Sequence, residues 1–172
     1  MEFELPQKAQ LQQAFADHIR RLCRERVKVL CYIGIVLVPL FGLLDHVLVP
    51  SSLFHFFLAL RLGTAACLLV ALFPLHRLFG ERRPSLIGIL TAVIVGGCIS
   101  LMTRYLGGYE SSYYAGLNLV LLSVGLIAPF SVKESSVTCG MVYGTYLLPV
   151  VLLDRIERVD VFVNNNFFLL GT

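Results

Sequence analysis

Two oppositely charged residues, Asp45 and Arg61, lie within consecutive apolar stretches of this sequence. A charged side chain at the centre of a bilayer costs about 2.5–3.5 kcal/mol on insertion scales, so Arg61 requires a compensating partner. If both stretches are helical, the turn at Pro50 places Asp45 near the end of the first, and Arg61 lies roughly 12 Å along the second. We therefore expect an Asp45–Arg61 ion pair, which either locks two helices together or anchors a ligand in an outward-facing pocket.

More polar side chains occur at a similar depth in the later apolar stretches. Tyr113, Tyr114 and Asn118 begin the fourth stretch, and Asn164 and Asn165 lie in the sixth. Pockets for small molecules are mostly apolar with a few convergent polar groups. We therefore predict that these five residues and the charged pair line one ligand or signal pocket. For the two tyrosines the alternative is an aromatic belt at the membrane surface, which binds nothing.

Other chemistry finds little support in the sequence. His46 and His55 flank the first outer turn and are conceivable haem ligands, but neither lies deep within a bundle. A pump or channel for protons or ions needs acidic groups near the bilayer midplane, and none occurs there. The five cysteines are scattered without metal-ligand spacing, and the common catalytic motifs are missing. We predict no catalytic residue, no metal, no cofactor and no nucleic-acid partner.

The composition indicates that these residues are held by membrane-spanning helices. The 172 residues are 57% hydrophobic and 15% charged, whereas soluble domains carry about 25% charged residues. Five apolar stretches are each about 20 residues long, which as a helix crosses a hydrocarbon core of roughly 30 Å. The predicted fold is an all-α, polytopic transmembrane helix bundle with five complete spans and the start of a sixth. The complete spans are 27–49, 53–73, 85–102, 113–130 and 137–153.

The basic residues predict the orientation of the bundle, because Lys and Arg accumulate on the cytoplasmic side of short loops. With the N-terminus in the cytoplasm, ten of the 14 basic residues lie inside, three lie outside and Arg61 lies within the membrane. The basic connection around Arg77, Arg82 and Arg83 is then cytoplasmic. We predict a multi-pass protein of the bacterial inner membrane with a cytoplasmic N-terminus.

The two ends of the chain differ from the spans between them. Residues 1–26 are predicted to be a cytoplasmic amphipathic basic helix, separate from the bundle at 27–172, that lies on anionic headgroups or docks a partner. The sixth apolar stretch has twelve residues from Val161 and reaches only about 18 Å as a helix, which is too short to cross. We expect the sequence to stop partway through a sixth span, and the other interpretation is a re-entrant end.

Small residues indicate where helices approach closely. Gly140 and Gly144 form a GxxxG pattern in the fifth span, and Gly96-Gly97 lies in the third. Such residues let helix backbones meet, either within one bundle or between two copies. For Gly140 and Gly144 we favour helix packing within the bundle and keep a dimer contact as the alternative.

Several local patterns together resemble a known group of bacterial modules. They are Phe41-Gly42-Leu43-Leu44-Asp45 leading to Pro50, Leu60-Arg61, the segment Ser111–Leu117 and the segment Asn164–Thr172. The chain resembles the six-helix N-terminal membrane sensor or anchor module that precedes sensor histidine kinases and class III adenylate cyclases. The resemblance implies a homodimer and an output domain after the sixth helix. Asp45, Arg61, Tyr113, Tyr114 and Asn164 to Asn166 match the recurring polar positions of that group, and no ligand is implied.

The expected function is a sensory and dimerising membrane module for a two-component or cyclase signalling protein. It would perceive a small or lipophilic signal in its outer half and pass it through the sixth helix to a histidine kinase or, second in order, an adenylate cyclase. One rival is a small accessory subunit of a larger membrane complex, and another is a transporter fragment. The lipid bilayer is a partner in every case.

Overall fold

The computed structural model describes residues 4–76 and 83–172. Within these ranges the chain forms helices and connections, and no strand occurs, so the predicted all-α class is confirmed. Two 3-10 turns, Gly108–Glu110 and Ser112–Tyr114, precede the fourth α-helix. The α-helices are α1 (Glu4–Leu48), α2 (Ser51–His76), α3 (Pro84–Tyr105), α4 (Ala115–Ile127), α5 (Val132–Leu153) and α6 (Val159–Leu170).

Four helices, α1, α2, α3 and α5, are long and apolar enough to cross a membrane. Large apolar side chains point away from the bundle on several of the helices; Val47, Val70 and Leu126 are 80%, 72% and 81% exposed. Exposed apolar surface on this scale marks contact with lipid or another chain. The helices α4 and α6 have only 13 and 12 residues.

The first helix is continuous from Glu4 to Leu48, so the boundary expected at residue 26 is not a break in the backbone. No glycine or proline interrupts the sequence between Pro6 and Gly34, and the basic segment is rich in strong helix formers. The 45 residues extend about 67 Å, far more than one membrane crossing requires. The basic segment and the first predicted span are therefore one continuous helix, and the cytoplasmic position of residues 1–26 stays a prediction.

Two span boundaries differ from the sequence prediction for local reasons. The fourth span was expected over 113–130, whereas α4 ends at Ile127 because Ala128 is extended, with φ −82° and ψ 123°, before Pro129. The fifth helix begins at Val132, five residues before the predicted span. The Ser131 hydroxyl accepts from the Glu134 backbone N–H and the Glu134 carboxylate accepts from the Ser131 N–H, a capping box that starts the helix early.

The first two helices form an antiparallel hairpin that is held at the end opposite to Pro50 by side-chain contacts. Arg24 donates from Nε to the Leu75 carbonyl oxygen at 2.6 Å, which places a cation at the C-terminal end of α2 where the helix dipole favours it. The Tyr32 hydroxyl lies 3.3 Å from His76 Nε2. The predicted basic connection at Arg77 and Arg82 lies outside the described residues.

Helix α3 packs against α5 through Gly96. A Cβ atom built on Gly96 would lie 2.9 Å from a methyl carbon of Val142, whereas one on Gly97 would meet nothing within 4 Å. Gly140 and Gly144 also have no neighbour within 4 Å of such a Cβ among the described residues. No other helix of the described chain therefore approaches Gly140 and Gly144 this closely. A helix-packing role for the pair stays a prediction, and a contact with a second copy of the chain is the form of it that these positions allow.

The contrast between adjacent glycines yields a direct test of the α3–α5 contact. We expect Gly96→Val to lower the thermal midpoint of the detergent-solubilised protein, since overpacking a close contact costs about 1–3 kcal/mol. Gly97→Val introduces the same side chain into open space and is the matched control. Equal midpoints for the two variants would show that the α3–α5 approach at Gly96 is not required for stability.

Candidate functional site

Asp45 and Arg61 form the predicted ion pair, at the bundle end that holds the α1–α2, α3–α4 and α5–α6 connections, here called the outer end. Arg61 Nε lies 2.5 Å from Asp45 Oδ2 and Nη2 lies 2.9 Å from Oδ1. The Asp45 residue is 1% exposed and the Arg61 residue 6% exposed. This two-point geometry is the strongest that a guanidinium and a carboxylate adopt. The prediction that the two residues pair is confirmed.

The pair is held by three further groups. The Arg61 guanidinium also donates from Nη1 to the Val38 carbonyl oxygen at 3.2 Å and lies 5.9 Å from the centre of the Phe41 ring. The Tyr113 hydroxyl donates to Asp45 Oδ1 at 2.5 Å. These contacts join α1, α2 and the 3-10 turn before α4. We call Asp45, Arg61 and Tyr113 the outer cluster.

A cavity of about 380 Å³ extends from the outer cluster along α1, α3 and α4. Its lining on α1 reaches from Leu30 to Leu48, and Asp45 and Arg61 are its charged residues within the described chain. Leu30 and Asp45 are fifteen residues apart in sequence, which corresponds to about 22 Å of helix. Elsewhere the walls are mainly aliphatic, with Val95 on α3 and Leu119 on α4 among them. The cavity is thus long, apolar and polar at one end, within the size range of small-ligand sites.

The other predicted pocket residues do not join the outer cluster. Tyr114 packs half-buried against the core between α4 and α5, and Asn164 is exposed on α6. Asn165 is buried and donates from Nδ2 to the Tyr109 carbonyl oxygen at 2.8 Å. The Asn118 side-chain oxygen is buried with no hydrogen-bond partner in the described chain. The residues expected to line one pocket therefore lie apart from one another in the structure, and a ligand or signal role for Tyr114, Asn118, Asn164 and Asn165 stays a prediction.

A second group of contacts is centred on Tyr109, which the predicted site did not include. The Tyr109 hydroxyl accepts hydrogen bonds from the backbone N–H groups of Glu157 and Arg158, both at 3.1 Å. Nearby, the Tyr143 hydroxyl donates to the Asn166 side-chain oxygen at 2.8 Å. We call Tyr109, Tyr143, Asn165 and Asn166 the α6 cluster. Each of its contacts ties the start or the inner face of α6 to α5 or to the α3–α4 connection.

One short segment carries residues of both clusters. Residues 107–114, here the outer segment, hold Tyr109 of the α6 cluster and Tyr113 of the outer cluster four residues apart. The segment turns at Gly107 and Gly108, whose φ angles of +106° and +62° favour glycine. Arg104 at the end of α3 also pairs with Asp154 at the end of α5. A displacement of Tyr113 therefore has a short route to α6, along the backbone to Tyr109 and through the hydrogen bonds of Tyr109 from there.

The arrangement suits binding rather than covalent chemistry. His46 and His55 are both exposed, on either side of the Phe54 ring, and do not line the cavity. The described residues contain no group of three His, Cys, Asp or Glu side chains placed for a metal ion. Cys31 and Cys98 line the cavity as free thiols. What the site presents is a desolvated guanidinium and a phenol at one end of an apolar space.

Comparison with family models, curated proteins and solved structures yields no match for this chain. The likeness to the membrane modules of sensor histidine kinases and class III adenylate cyclases rests on the local sequence patterns alone and stays a prediction. The four long apolar helices and the geometry of the two clusters are accordingly the basis for a functional proposal.

Proposed function

We propose that this chain is a membrane sensory module that binds a small lipophilic ligand below the outer cluster and transmits its presence to α6. The observation that carries the proposal is the outer segment, in which Tyr113 contacts the cavity's ion pair and Tyr109 holds the start of α6. One eight-residue segment, 107–114, therefore contacts both the outer cluster, where the ligand would bind, and the start of α6. Such coupling between two arrangements is how switching modules work.

In this proposal the N-terminus is cytoplasmic in a bacterial inner membrane, with five complete spans and the start of a sixth. The distribution of basic residues supports that orientation. The sixth helix would then run toward the cytoplasm and lead into an output domain. For that domain we favour a histidine kinase over an adenylate cyclase. The support for the output domain is the sequence resemblance, and a dimer follows from the same resemblance. The outward-facing Gly140 and Gly144 are compatible with a contact between two copies.

The rival proposal is an accessory subunit of a larger membrane complex. The shallow groove around Gly140, Gly144 and Leu148 of α5, which Val93 of α3 also lines, favours it, since a neighbouring helix fits such a surface. The coding sequence after Thr172 separates the two proposals. A frame that continues through a helical linker into an enzyme domain supports the sensor, and a stop codon there supports the subunit.

The relay is tested by filling the cavity and measuring α6. Spin labels at Val36→Cys and Val163→Cys, both exposed positions, report the α1–α6 distance in lipid nanodiscs, in a background with Cys67→Ser and Cys139→Ser. We expect Val95→Phe, on the cavity wall, to shift the distance distribution. Leu90→Phe lies on the exposed side of the same helix and should leave it unchanged. Identical distributions for both variants would contradict the proposed relay.

A further inference from the structure

The two charges at the outer end of the cavity cancel. Asp45 and Arg61 are the charged side chains that line it within the described chain, and they are paired at 2.5 Å and 2.9 Å. An anionic headgroup placed there would be repelled by the Asp45 carboxylate, and a cationic one would be repelled by Arg61. In both cases the charge of the headgroup would have no free opposite charge to pair with, because the two charges of the site already pair with each other. An unpaired charge removed from water costs several kcal/mol even after relaxation. The site therefore selects against both signs of charge.

The ion pair leaves hydrogen-bond donors of Arg61 unused. Arg61 has five N–H groups, of which three are used by Asp45 and the Val38 carbonyl. The Asp45 carboxylate already accepts from two Arg61 nitrogens and from the Tyr113 hydroxyl. Two N–H groups of Arg61 are not used by Asp45 or Val38, and the partner that fits these donors is an uncharged acceptor such as a carbonyl oxygen.

The rest of the cavity suits a hydrocarbon chain. Below the outer cluster its walls are formed by side chains such as Leu37, Val95, Leu119 and Val124, over about 22 Å of helix length. Its side is formed by α1 and α4, which pack less extensively on each other than α1 does on α2. Leu44 and Leu119, on the two sides of that seam, line the cavity and are also partly exposed at the surface. A lipophilic molecule can thus enter from the bilayer without crossing the polar end.

We propose that the ligand of this module is a neutral, single-chain amphiphile with a carbonyl headgroup, which enters between α1 and α4 and accepts a hydrogen bond from Arg61. This inference rests on the proposed function for its place in signalling but makes a claim of its own about headgroup charge. Fatty acids and alkylamines of equal chain length carry the same hydrocarbon and are excluded by their charge.

The test compares three probes with one tail: methyl dodecanoate, dodecanoate and dodecylammonium. Each competes against a photoreactive diazirine derivative of methyl dodecanoate in nanodiscs of zwitterionic lipid, and labelled peptides are identified by mass spectrometry. We expect labelling on α1, α3 and α4, and competition by the ester at least about tenfold stronger than by either charged probe, equivalent to about 1.4 kcal/mol. Val95→Phe and, independently, Ser123→Leu should reduce labelling, and Leu90→Phe should not.

The outcomes separate this inference from the proposed function. Stronger competition by dodecanoate or dodecylammonium overturns the neutral headgroup and leaves the relay proposal standing. Equal competition by all three probes, or labelling that neither cavity variant changes, shows nonspecific partition into lipid and overturns the inference. Selective ester binding combined with an unmoved α6 supports the ligand class and contradicts only the relay.

Discussion

Arg61→Leu is expected to lower the free energy of unfolding of the bundle by about 3–5 kcal/mol, the usual effect of breaking a buried ion pair from one side. The variant leaves the Asp45 carboxylate, which is 1% exposed, with only the Tyr113 hydroxyl as a hydrogen-bond partner in the described chain. Protonation of the carboxylate can relieve part of this cost. Equilibrium unfolding in mixed detergent micelles gives the measurement.

Two comparisons distinguish the pair from a general effect of losing an arginine. Arg20→Leu removes a cation whose side chain is 60% exposed beside Asp17, so we expect a change within about 1 kcal/mol. Combining Asp45→Asn with Arg61→Leu removes both charges and keeps an oxygen for Tyr113, and it should recover most of the stability. If the double variant is as unstable as Arg61→Leu, the unpaired carboxylate is not the cause.

Tyr109→Phe is expected to loosen the start of α6 without unfolding the bundle. The substitution keeps the ring, which packs edge-on against Phe162, and removes the hydroxyl that accepts from the Glu157 and Arg158 N–H groups. Each lost hydrogen bond costs about 0.5–1.5 kcal/mol, so loss of both should speed amide exchange there by roughly tenfold or more. Hydrogen exchange followed by mass spectrometry of the peptide over 154–162 provides the measurement.

Tyr105→Phe is the matched control for that variant, because the Tyr105 side chain is half exposed and its hydroxyl makes no hydrogen bond within the described chain. It should leave exchange over 154–162 unchanged. Faster exchange throughout α5 and α6 in Tyr109→Phe would instead indicate global destabilisation and contradict a local role for the hydroxyl.

The sequence was sufficient to predict the elements that depend on local composition. Long apolar stretches specify helices wherever they fold. The Pro50 turn folds the second helix back along the first, and the end of the long Arg61 side chain then reaches the Asp45 carboxylate. The sequence was less informative at positions where a helix could either stop or continue. Nothing in the residues around Arg26 marks a break, and α1 runs through without one.

Which residues belong to the site depends on the direction in which each side chain points from its helix axis, and composition does not reveal that direction. Successive residues of a 3-10 turn point about 120° apart, so Tyr113 reaches Asp45 while Tyr114 packs against the α4–α5 core. On α6 the adjacent Asn164 and Asn165 likewise face outward and inward. The signal for Tyr109 was its position after Gly107-Gly108, where a positive-φ turn directs the next side chain back onto the bundle.

The most direct test of the coupling between the cavity and α6 is hydrogen exchange of the nanodisc-embedded protein with and without saturating methyl dodecanoate. Loading should slow exchange in the cavity wall of α1 and α3, and it should also change exchange in residues 108–114 and 157–166, an effect that Tyr109→Phe removes at the second segment. Protection confined to the cavity wall, with 157–166 identical in both states, would contradict the claim that the outer segment links the cavity to α6.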